Sequence, residues 1–236
     1  WNENWKSLAA GLIIGLGGLG SPAALYLAAA GVGRLILADP DRVELSNLQR
    51  QIIHGTADVG RPKVESARDR LLDLNPETAV EAIHGRLQGA ALEAAVARAD
   101  VVVDASDNFT ARYALNAACV HRRRPLVSGA AIRLEGQVSV FPLHREGAAC
   151  YHCLFGDAAG AQDETCSSEG VLGPLVGVIG AVQATEAVKL LLDLPTLAGA
   201  LLLLDAETMT WRRVPFDRDP ACTVCATPSS PAAAVR

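Results

Sequence analysis

The chain has 236 residues, half of them hydrophobic and a fifth charged. That is enough for one large α/β domain with its own core, and too apolar for a disordered chain. A formal net charge of −5 gives no overall field to draw in nucleic acid or anionic lipid, so partners of those classes are not expected.

Leu12-Ile13-Ile14 reads as a short buried strand and residues 21–30 as a small-residue helix. The uncharged stretch 8–33 is long enough to span a bilayer. Gly15, Gly17, Gly18, Gly20 and Pro22 interrupt it where a strand should turn into a helix, which argues against a membrane span. No secretory leader is visible, so a cytoplasmic location is expected. Leu35-Ile36-Leu37-Ala38 is a second apolar strand ending at Asp39. Strand, turn, helix and strand in that order, with unbroken apolar strands, predict a parallel sheet covered on both faces.

Further helices are predicted over 63–74, 91–99 and 109–121, with strands at 80–83, 101–103 and 126–128. Arg122-Arg123-Arg124 closes the third of these helices, where positive charge complements the helix dipole. After Gly136 the pattern alternates (Gln137-Val138-Ser139-Val140-Phe141), as antiparallel strands with one exposed face do. A polar loop, 156–169, precedes a buried helix over 174–192 with Pro174 in its first turn. Strands at 201–204 and 210–214 follow. Residues 1–226 thus read as one domain and 227–236 as a flexible tail rich in Pro, Ser and Ala. The first residue is Trp1 rather than methionine, so upstream sequence is expected.

Three segments carry polar chemistry along the predicted sheet. Gly15-Leu16-Gly17-Gly18-Leu19-Gly20 is a G-x-G-x-x-G between a strand and a helix. Its glycines let the backbone approach phosphates, whose charge the helix N-terminus stabilises. Asp39, about 20 residues on, is placed to accept from ribose hydroxyls. These features fit NAD and ATP equally. Ser46-Asn47-Leu48-Gln49-Arg50-Gln51 follows, with Lys63 in Gly60-Arg61-Pro62-Lys63. Arg50 and Lys63 can reach back over the glycine turn, where a triphosphate has more use for cations than a dinucleotide. Asp107-Asn108 lies just past a buried strand, where parallel sheets place their ligands. Asp107 either holds Mg²⁺ between phosphate oxygens or caps the following helix.

Two short cysteine pairs, Cys150-Tyr151-His152-Cys153 and Cys222-Thr223-Val224-Cys225, have the C-x-x-C spacing of zinc ligands, and in a reducing compartment metal binding outranks disulfides. Cys119 reads as core. His54 and His152 read as local hydrogen bonders.

Taken in order, these motifs, with Glu65, Ser106 and Ser128-Gly129-Ala130-Ala131, resemble those of the MoeB/ThiF/HesA family, bacterial relatives of the ubiquitin-activating enzymes, from about Leu12 to Cys225. The resemblance implies a Rossmann-like, mostly parallel sheet with helices on both faces, continued by antiparallel strands and a four-cysteine zinc site. It implies an adenylyltransferase that transfers AMP from ATP to the C-terminal Gly-Gly carboxylate of a small ubiquitin-like sulfur carrier, releasing pyrophosphate before thiocarboxylate formation. It further implies that Gly15, Gly17, Gly18 and Gly20 lie along the nucleotide, Gly18 against the phosphates, and that Asp39 holds the ribose. Asn47 and Arg50 contact the phosphates, Ser46, Leu48, Gln49 and Asn108 also bind the nucleotide, Lys63 neutralises the reacting centre, and Asp107 organises Mg²⁺. Arg50, Lys63 and Asp107 are the expected catalytic set. Cys150, Cys153, Cys222 and Cys225 hold structural Zn²⁺, and Cys166 is a possible covalent site. A homodimer is implied, in which an N-terminal arginine reaches the partner's ATP. No arginine precedes Arg34 here. No sulfurtransferase domain follows Cys225, so a separate sulfur donor protein is expected. A non-catalytic scaffold for a ubiquitin-like partner and an NAD-dependent oxidoreductase are the competing readings.

Overall fold

The computed structural model describes residues 9–157 and 169–226. Its single eight-stranded sheet is ordered β3-β2-β1-β4-β5-β6-β7-β8. The strands are β1 (Ala10–Ile14), β2 (Arg34–Asp39), β3 (Ala79–His84), β4 (Val101–Asp104), β5 (Leu126–Ile132), β6 (Glu135–Phe141), β7 (Ala200–Asp205) and β8 (Thr210–Pro215). The first five run parallel. From β5 onward the pairing is antiparallel, with β5 joined to β6 and β7 to β8 by tight connections. Rossmann-like order continued by antiparallel strands is thus what the chain adopts.

The helices are α1 (Gly20–Ala29), α2 (Lys63–Leu74), α3 (Gly89–Ala97), α4 (Phe109–Arg122), α5 (Tyr151–Phe155) and α6 (Gly173–Leu191). The strand pleat divides the core between two faces. Ile13, Leu35, Leu37, Val101 and Val103 join α1, α2 and α6 on one side. Leu12, Ile36 and Val102 join α3, α4 and α5 on the other. Because both faces are covered, β1, β2 and β4 need apolar residues at every position, which is why they read as unbroken runs. The segment 8–33, weighed as a membrane span, is β1, the glycine turn and α1. Helix α6 is long and apolar enough to cross a membrane, but Leu175, Val176, Ile179, Ala184 and Ala187 are buried in the core.

Two details extend the sequence reading. Strand β5 runs on to Ile132, and a five-residue helix, α5, follows Cys150 where no helix was expected. The Arg122–Arg124 run closes α4 as expected: Arg123 takes the left-handed conformation beyond the last turn, while Arg122 pairs with Glu93 and Arg124 with Asp100.

Candidate nucleotide site and metal centre

From β1 the chain winds outward to β2 and β3, then returns to place β4 on the other side of β1. A crevice opens at such a reversal, beyond the carboxyl ends of the strands. Gly15 leaves β1 with φ +90°, a conformation that favours glycine, and a side chain there would lie 2.6 Å from the Ala105 carbonyl oxygen. A Cβ at Gly20 would lie 1.9 Å from the Gly15 oxygen. The turn is therefore folded on itself and pressed against the loop after β4.

Asp39 ends β2 beside this turn. Its Oδ2 accepts from the Leu16 N–H at 2.7 Å and its Oδ1 from the Asp41 N–H at 2.8 Å. Burial raises its pKa, against the pull of Lys63 and the two amides. Each oxygen keeps lone-pair capacity for a further donor, as a ribose hydroxyl requires. His54 braces the same turn: its Nε2–H donates to the Leu16 carbonyl at 3.1 Å, which leaves Nδ1 to accept from the Ser66 hydroxyl at 2.8 Å. It is a local hydrogen bonder, as the sequence indicates.

A cavity of about 620 Å³ fills the crevice, within the range of small-molecule sites. Gly15, Gly17, Gly18, Asp39, Arg50, Lys63, Asp107 and Asn108 all line it. Gly20, Ser46, Asn47, Leu48 and Gln49 are not among its lining residues. Ser46 and Asn47 bond to Glu44, and Asn47 Oδ1 accepts from Arg50 at 2.6 Å, which orients that guanidinium. Lys63 is buried, its ammonium 2.8 Å from a carboxylate oxygen of Asp41. The helix cap weighed for Asp107 is supplied by Asn108, whose Oδ1 accepts from the Ala111 N–H at 2.9 Å. Asp107 is exposed at the cavity, and its Oδ1 accepts from Asn108 Nδ2 at 3.2 Å.

Sequence reasoning passed over two groups here. Asp104, fully buried, accepts from the Ser106 N–H, the Ser106 hydroxyl at 2.6 Å and the Ser128 hydroxyl at 3.0 Å, and so fixes the loop that carries Asp107. Arg112 lines the cavity, donates to the Ser106 carbonyl at 3.0 Å and lies over Phe109. Burial would lower its pKa, but Asp104 and Tyr151 outweigh it and raise it. The helical spacing of Asn108 and Arg112 was the one available signal for the arginine.

Cys150, Cys153, Cys222 and Cys225 converge with all four sulfurs within 4.8 Å of one another. Neighbouring Sγ atoms are 3.9 Å (Cys150–Cys153), 3.7 Å (Cys150–Cys222) and 3.4 Å (Cys153–Cys225) apart. A tetrahedron with Zn–S bonds of 2.3 Å has edges of about 3.8 Å, and a disulfide would need about 2.05 Å. The donor set therefore fits Zn²⁺. Asn116 Nδ2 approaches Cys150 Sγ at 3.6 Å, and His152, held by Asp157, approaches Cys222. Burial pushes the Cys150 thiol up. At Cys222 the Cys225 and Val224 N–H groups outweigh burial and bring the thiol to about 6. Cys119 is core, fully buried on α4. Cys166 lies outside the described residues.

A family model described as the ThiF family matches residues 4–224. The chain belongs to the ThiF family. It is 50% identical over 215 residues to the sulfur carrier protein ThiS adenylyltransferase of Escherichia coli K12, covering 91% of this chain and 84% of that protein. It is also 50% identical over 218 residues to the molybdopterin-synthase adenylyltransferase of the same organism, covering 91% and 86%. A crystal structure of E. coli MccB with ATP superposes with a TM-score of 0.80 over 94% of this chain and 68% of that one, at 24% identity, which is a likeness of fold.

Proposed function

We propose that this protein is an ATP-dependent adenylyltransferase acting on a small ubiquitin-like sulfur carrier. The observation that carries the reading is the crevice, where a glycine turn and Asp39 meet the cations Arg50 and Lys63 and the exposed carboxylate Asp107. An NAD site needs the first two and has no use for the last three.

The carrier's terminal carboxylate attacks the α-phosphorus of ATP. A new P–O bond forms, the bond to the β-phosphate oxygen breaks, and pyrophosphate leaves, giving an acyl-adenylate. A carboxylate is already a nucleophile, so the difficulty is bringing two anions together. Asp39 anchors the ribose, and the glycine turn lets backbone N–H groups face the phosphates. Arg50 and Lys63 screen the charge that grows on the departing pyrophosphate. Asp107 would hold Mg²⁺, which would supply further charge screening. The four thiolates would hold Zn²⁺, a closed site without room for a catalytic water. We place the protein in the cytoplasm as a homodimer, with thiocarboxylate sulfur delivered by a separate donor protein.

Relatives named for different carriers are similarly close to this chain, at 50%, 50% and 49% identity. The test is ATP–pyrophosphate exchange with candidate carriers. Exchange that needs the carrier's last glycine supports the reading. Its absence with every cognate carrier, in protein carrying its full N-terminus, overturns it.

A further inference from the structure

Lys63 and Asp41 are joined twice. The Lys63 N–H donates to the Asp41 carbonyl at 3.0 Å, and the Lys63 ammonium donates to Asp41 Oδ2 at 2.8 Å. The segments that carry them are zipped together. Arg42 and Pro62 form an antiparallel bridge, the Val43 N–H donates to the Arg61 carbonyl at 2.9 Å, and the Val43 carbonyl accepts from the Gly60 N–H at 2.8 Å. Asp41 is in turn tied to the end of β2, its N–H donating to Asp39 Oδ1. Both residues line the cavity, but the lysine side chain is 6% exposed and the aspartate's 63%.

A buried ammonium needs a partner, and a flexible four-carbon stem does not by itself fix where the charge sits. Among the described residues, Asp41 is the one side chain hydrogen-bonded to Lys63. That bond uses one of the three ammonium N–H groups and leaves two. A carboxylate in a cavity for a triphosphate repels the ligand, so affinity alone gives no reason for it. Placement of the cation does. We propose that Asp41 is a positioning residue for Lys63, holding its ammonium at the cavity wall so that the two remaining N–H groups meet phosphate oxygens of ATP. This deepens the adenylyltransferase reading and rests on it. A loose ammonium still attracts bound phosphates, but the charge that grows as pyrophosphate departs needs a cation already in place.

Asp41→Ala removes the acceptor and the charge; Asp41→Asn keeps an acceptor oxygen and removes the charge. Carrier-dependent ATP–pyrophosphate exchange at saturating ATP gives the rate, and calorimetry with the magnesium complex of a non-hydrolysable ATP analogue gives the affinity. Both are repeated in a Lys63→Met background. For Asp41→Ala the saturated rate should fall about 10- to 100-fold, the loss of a hydrogen bond between charged groups. The dissociation constant of the analogue should be unchanged or up to about fivefold lower, because a negative charge has left the cavity. Asp41→Asn should recover most of the rate. Without Lys63, adding Asp41→Ala should cost no more than about twofold. A wild-type rate in Asp41→Ala would overturn the proposal. So would a loss of affinity that matches the loss of rate, or a loss of rate that persists in full in the Lys63→Met background. If Asp41→Ala fails to fold, Asp41→Asn and the Lys63→Met double variant decide by the same criteria. Wild-type protein without exchange sinks the adenylyltransferase reading and this one with it. If it exchanges and the variants match it, this inference alone fails.

Discussion

Asp107 and Asn108 are adjacent and yet have separate tasks. Asn108 spends its side-chain oxygen on the first turn of α4, so its loss should be felt in folding. Asn108→Ala is expected to cost about 1 kcal/mol, read as a lower urea midpoint. Asp107 has no such duty and faces the cavity. Asp107→Ala should leave the urea midpoint within about 0.5 kcal/mol of wild type and reduce carrier-dependent ATP–pyrophosphate exchange by about 100-fold or more. Undiminished exchange would remove the magnesium role. At this scale the sequence was legible in placement: Asp39 and Lys63 line the cavity and the four cysteines converge. It was not legible for Asp104 or Arg112. Their significance depends on burial and on partners from distant segments, such as Ser128 for Asp104, 24 positions away.

The glycine turn is held by elements far from it in sequence. Helix α6 presses Val176 against Gly18, where a Cβ would meet the valine at 2.7 Å, and Gln183 of α6 donates to the Asp104 carbonyl at 2.7 Å. Helix α2 reaches the turn through Ser66 and His54. Sequence periodicity placed these helices within a few residues because each follows a 3.6-residue apolar pattern or a clear breaker. It could not place α5, whose five residues are too few to show a period. The His54 brace has a measurable pH signature. Burial and the nearby Lys63 lower its pKa below the ordinary histidine value of 6.5, against the Leu16 carbonyl and Asp58, which raise it. Between the lowered folded value and 6.5 the unfolded chain binds more protons than the folded one. Stability from this residue is therefore complete above pH 6.5 and declines as pH falls through the folded pKa. Melting temperatures of wild type and His54→Gln, compared from pH 8 to about 5, should diverge by less at low pH than at high pH. A constant difference would mean that His54 does not titrate differently on folding.

Across the whole molecule, a metal held by the four cysteines would close a long span of chain: Cys150 and Cys222 are 72 positions apart. A cross-link over a loop of that size removes about 4 kcal/mol of unfolded-state freedom by the loop-closure argument. That corresponds to about 8–16 °C of melting temperature in a domain of this size. The same centre touches the nucleotide site through α4. Asn116 accepts from the Tyr151 N–H at 2.9 Å and approaches Cys150, and Tyr113 donates to the Gly156 carbonyl at 2.7 Å. One turn earlier Arg112 holds the Ser106 carbonyl. Removing the metal should therefore act on stability first and on chemistry second. Chelation, or Cys153→Ser, is expected to lower melting by the amount above while exchange, measured well below the new midpoint, keeps most of its wild-type rate. Loss of exchange with melting unchanged would place a sulfur in the reaction itself. The opposite result fits the geometry, because four thiolates at tetrahedral spacing leave no coordination position for substrate.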